Sequence, residues 1–152
     1  MAEVRAEVAL KVPDRQPTYS DDARVHKALV DWLRPHPWDF VLHLTFGTER
    51  APTGALRVFK NWTGGISRLA QQPISYFVSV ESGRPHLHAL IGRCSALQSS
   101  ALEARWRFGW SRVRRFNPQR GGLWYATKEC AKGAEYDFDL PGHADDMSVC
   151  RS

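Results

Sequence analysis

His86 and His88 stand two apart in the apolar run Pro85-His-Leu-His-Ala-Leu-Ile91. If that run is a strand, both imidazoles share one face and can converge on a single ion. Leu87, Leu90 and Ile91 give the run the apolar character of a buried sheet, and Gly83 and Pro85 supply a turn before it. With Tyr76 to Glu81 as the preceding strand, a hairpin returns Glu81 beside His86. The result is a His/His/Glu set with open positions, which is what a catalytic metal needs. Two hydrogen-bonded sheet histidines without an ion would give the same short pattern.

A second chemical element follows about forty residues downstream, where Tyr125-Ala-Thr-Lys128 comes after Gly121-Gly122 in a segment with helical spacing. Residues three apart share a helix face, so Tyr125 and Lys128 are expected side by side, with Lys132 extending the stripe. A phenol has an unperturbed pKa of about 10, so its attack on phosphorus near neutral pH needs a cation, a base or a metal-held substrate close by. The plain alternative is an amphipathic helix that buries Tyr and solvates Lys.

Taken together and in this order, the motifs resemble the HUH endonuclease superfamily of rolling-circle replication initiators, relaxases and related single-strand transposases. Phe40-Val-Leu-His-Leu-Thr-Phe46 is similar to the apolar first-motif strand that the replication initiators end with Thr and an aromatic residue. The resemblance runs from about Trp38 to about Lys132. It is nearest to the single-tyrosine initiator (Rep-like) branch, because Tyr136 lies beyond Lys132 beside an acidic stretch and leaves Tyr125 as the plausible nucleophile.

The resemblance implies metal-dependent, sequence-specific nicking and joining of single-stranded DNA through a 5′-phosphotyrosine intermediate and a free 3′-OH. On that basis His86 and His88 become metal ligands, Tyr125 the nucleophile, and Lys128 the group that stabilises developing charge or helps position the ion. Relatives often place the acidic ligand farther upstream. No Asp or Glu lies between Arg50 and Glu81 here, so either the hairpin is shorter or another ligand serves, and Glu81 is the expected one. A His/His/Glu set suits Zn²⁺ and Mn²⁺ alike; the resemblance implies Mn²⁺ or Mg²⁺, with substrate phosphate oxygens completing the shell.

The net charge of +5 and the pI near 9.4 are concentrated in one place. Between Arg105 and Arg120 lie six arginines, at 105, 107, 112, 114, 115 and 120, with no acidic residue among them. Trp106, Phe108, Trp110 and Phe116 are interleaved with them. Guanidinium groups beside exposed rings form a surface for unpaired, stacked bases, so Arg105, Arg107, Arg112, Arg114, Arg115 and Trp110 are the expected DNA contacts. Trp106 and Trp110 would also serve as ordinary core residues.

The elements that must position these groups are readable in outline. Glu3 to Val12 alternates weakly and suits an edge strand. Ser20-Asp-Asp is expected to cap a helix ending at Leu33, before Arg34-Pro-His-Pro37. A central strand is expected over 39–46, then a helix from Thr53 toward Leu69 that Gly64-Gly65 interrupts. Hairpin strands follow over 74–81 and 86–92. Next come a helix capped by Ser95 or Ser99 and running to about Phe108, a strand over 110–116, and the Tyr125 helix. This order predicts an α+β fold with one antiparallel sheet of about five strands and helices packed against it. The resemblance implies a ferredoxin-like or RRM-like sheet with the histidine strand central. The expected division is a catalytic domain over 1–133 and an acidic tail over 134–152.

The 152 residues, 43% hydrophobic, are in the range of one domain. There is no G-x-x-x-x-G-K-[ST] run, so a separate helicase is the expected partner for opening a duplex. Cys94, Cys130 and Cys150 are odd in number and show no C-x-x-C spacing. Free thiols in a reducing compartment, and hence a cytoplasmic location, are expected. No apolar run approaches membrane-spanning length, and Met1-Ala-Glu-Val-Arg lacks a signal-peptide layout. Two other functions compete. His43-Leu-Thr45 matches the H-x-T element that two-histidine phosphoesterases repeat twice, although the second copy here reads His86-Leu-His88. A non-catalytic single-strand binding module would use the arginine and aromatic surface alone.

Overall fold

The computed structural model of the protein describes residues 15–81, 83 and 85–141. Strand β1, Trp38–Leu44, buries every second residue fully, so Phe40, Leu42 and Leu44 face one side while Val41 and His43 face the other. Helix α2, Pro52–Ala70, covers the first side with Ala55, Phe59, Trp62 and Ile66, a stripe at helical spacing. The hairpin strands β2, Ser75–Glu81, and β3, His86–Gly92, are buried along nearly their whole length. Helix α3, Ser99–Arg105, adds Leu102 to the same side as α2, and β4, Ser111–Arg115, returns to the sheet.

The strand order is β4-β1-β3-β2, extended at its far edge by β5, Tyr136–Asp139, with every neighbouring pair antiparallel. This βαββαβ arrangement is the ferredoxin-like one expected, and β3, which carries His86 and His88, is the middle strand. Helix α1, Arg15–Leu33, and the short α4, Gly122–Thr127, lie on the opposite face. There Val30, Leu33, Phe77, Leu90, Leu123 and Ala126 form a second apolar cluster. The sheet is therefore covered on both faces, and the site occupies the part of the second face that α1 leaves open.

Several boundaries differ from expectation for local reasons. Helix α1 begins at Arg15, well before Ser20; Pro17 falls in its first turn, where the missing N–H needs no intrahelical partner. Gly64-Gly65 does not split α2, whose apolar stripe holds it against the sheet. Helix α3 stops at Arg105, and the last turn expected up to Phe108 is a loop, because Trp106 turns into the core and gives its indole N–H to the Thr45 carbonyl at 2.9 Å. The expected Glu3–Val12 strand lies outside the described residues. Among the described residues the fifth strand of the sheet is β5, in the segment expected to be acidic tail: Tyr136 and Phe138 alternate with Asp137 and Asp139. Phe138 meets Trp32, ring centroids 4.9 Å apart, while Asp137 accepts from Tyr76 at 3.0 Å. Among the described residues no helix is long and apolar enough to cross a membrane.

Candidate functional site

Strand alternation and register gather the chemistry. Antiparallel pairing sets Glu81 opposite His86, His88 opposite both Ser79 and His43, and His43 opposite Arg112. Glu81, His86, His88, His43 and Arg112 therefore project from one face of four adjacent strands. Arg114, opposite Val41, extends the row. Helix α4 lies across this face beside them. Gly122 permits the approach, since a Cβ there would stand 2.8 Å from Val41 Cγ2 and press on the Phe116 ring.

A cavity of about 400 Å³ results, walled by Glu81, His86, His88, Arg112, Arg114, Tyr125 and Lys128 together with His43. The expected nucleophile thus opens onto the same space as the expected ligands, with its ring 57% exposed. Lys128 continues the turn just past α4, and its ammonium sits 4.9 Å from the Tyr125 ring centroid. Lys132 does not extend that stripe. The helix ends at Thr127, and Lys132 falls in a following 3₁₀ turn, 3.9 Å from Glu129.

Two supports fix α4. Ser79, fully buried on β2, donates its hydroxyl to the Ala126 carbonyl at 2.6 Å. His26 on α1 stacks on Trp124, ring centroids 3.5 Å apart, and places Nε2 3.1 Å from the Trp124 carbonyl.

Glu81 and the three histidines influence one another's charge. His88 Nε2 lies 2.8 Å from Glu81 Oε1, and that hydrogen bond is the main reason the Glu81 carboxyl is held below its ordinary range, with His86 and Lys128 acting in the same direction. His43 is pushed below its ordinary value first by burial and then by His88 and His86. It is therefore a neutral imidazole near neutral pH, the form that binds metals. Its Nε2 is buried without a hydrogen-bond partner.

Among the described residues no three His, Cys, Asp or Glu side chains stand preset as an ion site, and Glu81 and His88 are bonded to each other. The donor set itself fits a divalent ion: imidazoles and a carboxylate share one cavity, and one buried nitrogen is unsatisfied.

His43, singled out in the sequence only within the H-x-T element, was not expected beside His86, His88 and Glu81. Its signal was the odd-numbered parity it shares with Val41 on β1, which becomes informative only with the β1–β3 register. Thr45, at the end of the same segment, is structural: its hydroxyl accepts from Trp110 N at 2.9 Å, and its own N–H bonds the Trp110 carbonyl at 2.8 Å.

The expected DNA-contact cluster divides. Arg112 and Arg114 wall the cavity, and Trp110, 54% exposed, sets its ring edge-on to His43 at 5.6 Å. Arg115 points to the other face, where it lies over the Phe40 ring at 4.4 Å and donates to the Leu97 carbonyl. Arg105 and Arg107 line a separate cavity beside α2. Trp106 is a core residue. Compared with known protein families, curated proteins and solved structures, the chain matches none.

Proposed function

We propose that this protein is an HUH-type endonuclease of the single-tyrosine initiator kind, which nicks and rejoins single-stranded DNA through a phosphotyrosine intermediate. The observation that carries the reading is the shared cavity. A half-exposed tyrosine, a lysine against its ring, two arginines, three histidines and a carboxylate all face one space of about 400 Å³. A two-stranded groove is not required: an extended single strand can lie across this open face, with its phosphates on Arg112 and Arg114 and a base on Trp110.

In the reaction so read, Tyr125 Oη attacks the scissile phosphorus in line with the 3′-oxygen. The Oη–P bond forms as the P–O3′ bond breaks, the phenol gives up its proton, and the leaving oxygen takes one to become a 3′-OH. Attack of a 3′-OH on the phosphotyrosine reverses these changes and joins the strand. Lys128 opposes the charge that grows on the phosphoryl oxygens. His86, His88, Glu81 and, by its position, His43 would hold Mn²⁺ or Mg²⁺, which supplies Lewis-acid polarisation of the phosphate when bound. A separate helicase would open duplex targets. A reducing, cytoplasmic setting agrees with Cys94 and Cys130 being free thiols.

One observation favours a second reading. His43 and His86, the leading residues of the H-x-T element and of its altered second copy, line the same cavity with ring centroids 5.4 Å apart, and a two-histidine phosphoesterase would need two imidazoles at one phosphate. Against it, the Thr45 hydroxyl is engaged by the Trp110 backbone, and Tyr125 and Lys128 would have no part.

The test is a labelled pool of single-stranded oligonucleotides incubated with the protein and Mn²⁺, then resolved on a denaturing gel. A covalent adduct that disappears with EDTA and with Tyr125→Phe supports the reading. Phosphodiester cleavage undiminished in EDTA would favour the phosphoesterase, and binding without any adduct a non-catalytic single-strand module.

A further inference from the structure

A cavity of about 740 Å³ lies between α2 and α3 on the face of the sheet away from Tyr125. Its walls include Asn61, Trp62, Gly65, Arg105, Arg107 and Phe108, and no acidic side chain. We propose that this cavity holds an unpaired nucleotide of the same DNA strand whose phosphodiester lies at Tyr125. The proposal rests on the single-strand reading above and adds a second, distant base site to it.

Three independent features support it. Gly65 sits in the middle of an unbroken 19-residue helix, where alanine is the better helix former. A Cβ there would meet nothing nearer than the guanidinium tip of Arg68, at 3.7 Å. The fold gives no reason for a glycine at that point, and the space kept open is on the cavity wall. Secondly, Trp62 is buried and its indole N–H has no acceptor. A buried donor left unpaired is costly, and because Trp62 borders the cavity a turn of its ring on ligand entry would bring that donor to a base carbonyl. Thirdly, the wall combines a flat apolar surface with fixed positive charge: Phe108, 38% exposed, stands beside Arg105 and Arg107, and Arg50 lies 5.7 Å over the Phe108 ring. A planar ring carrying an anion is the ligand that such a wall matches.

The loop 106–110 supplies the route between the two sites. It runs from Trp106 in the core, past Phe108 in this cavity, to Trp110 against His43. Phe108 and Trp110 are two residues apart, at most about 7 Å of chain. A strand leaving the Tyr125 cavity over Trp110 therefore reaches Phe108 by crossing the end of β1. Arg105 and Arg107, which stand outside the catalytic cavity, then meet its phosphates.

The experiment uses the full chain carrying Tyr125→Phe, so that only binding is read, and an end-labelled oligothymidylate followed by anisotropy. Adding Gly65→Ala is expected to raise the melting temperature by about 2–4 °C and yet weaken the oligonucleotide roughly tenfold. Adding Phe108→Ala is expected to weaken it to a similar degree. An oligonucleotide containing 5-iododeoxyuridine should photocrosslink to Trp62 or Phe108. Unchanged affinity in both variants, or crosslinks confined to Trp110, would overturn the proposal. Thymidine monophosphate that binds here without competing against the oligonucleotide would overturn it as well. Failure of the nuclease reading looks different: strand binding and crosslinking at Phe108 persist, but the unmutated protein forms no adduct at Tyr125.

Discussion

His43 lies face to face with His88 across the β1–β3 pair, ring centroids 4.6 Å apart and planes 21° from parallel. Two imidazolium rings would repel in that stack, and burial already holds His43 below its usual range. His43 therefore contributes a neutral ring to the cavity wall. Replacing His43 by Phe keeps a flat ring on His88 and removes the nitrogens. We expect Mn²⁺ to raise the melting temperature of the unmodified protein, and the ion to bind at least about tenfold more weakly to His43→Phe. Calorimetric titration of Mn²⁺ measures this, and an unchanged affinity would reduce His43 to a packing shelf.

Lys128 places its ammonium 4.9 Å from the Tyr125 ring centroid and borders the same cavity as Glu81. In the proposed reaction it opposes the charge that builds during phosphoryl transfer, so Lys128→Met should slow single-turnover adduct formation by about 100-fold. Oligonucleotide affinity should change far less. The opposite pattern, weak binding with an unaltered rate in the bound complex, would make Lys128 a ground-state phosphate anchor.

The sheet and half the site were legible because their signals are local. Alternation marks β1 and the hairpin, Gly83 and Pro85 mark the turn, and the spacing of His86 and His88 puts both on one face. Glu81 followed from the turn. His43 did not, because its partners lie on strands more than forty residues away and only the register reveals them. The acidic segment hid β5 for a different reason: charge count masked the alternation of Tyr136 and Phe138. The arginines were visible as a cluster in sequence, but strand alternation and the loop at 106–110 send them to different faces, which composition cannot show. Helix α4 was readable as a helix. Its docking, through Gly122, Ser79 and His26, was not.

Burial, and after it the neighbouring Asp39, pushes the Cys94 thiol up to about 12, and burial with Glu129 lifts Cys130 to about 11. In both cases the folded chain holds the thiol proton more tightly than the unfolded chain does. The contribution to stability is complete below the ordinary thiol value of 9.0 and is lost as pH rises from there toward 11 and 12. Melting temperature should therefore fall through that window, and less steeply in Cys94→Ala. Parallel pH curves for the two proteins would exclude Cys94 as a source of the alkaline sensitivity. Slow alkylation of both thiols at neutral pH is expected for the same reason.

Ser79 connects the histidine strand to the helix that carries Tyr125: it pairs with His88 in the sheet and donates to the Ala126 carbonyl beside Tyr125. Both ends of that bond are buried, so Ser79→Ala leaves a carbonyl without its donor and should cost about 1–2 kcal/mol, a fall of roughly 2–8 °C in melting temperature. A purely structural bond would stop there. A bond that aims Tyr125 should also lower single-turnover adduct formation while oligonucleotide affinity holds, because Arg112 and Arg114, the proposed phosphate contacts, stand on another strand. His26→Ala removes the second support of α4 and should slow the same step, and the double variant should lose less than the sum if the two hold one helix in one place. A full rate in Ser79→Ala at a lowered melting temperature would show that the helix keeps its aim without this hydroxyl.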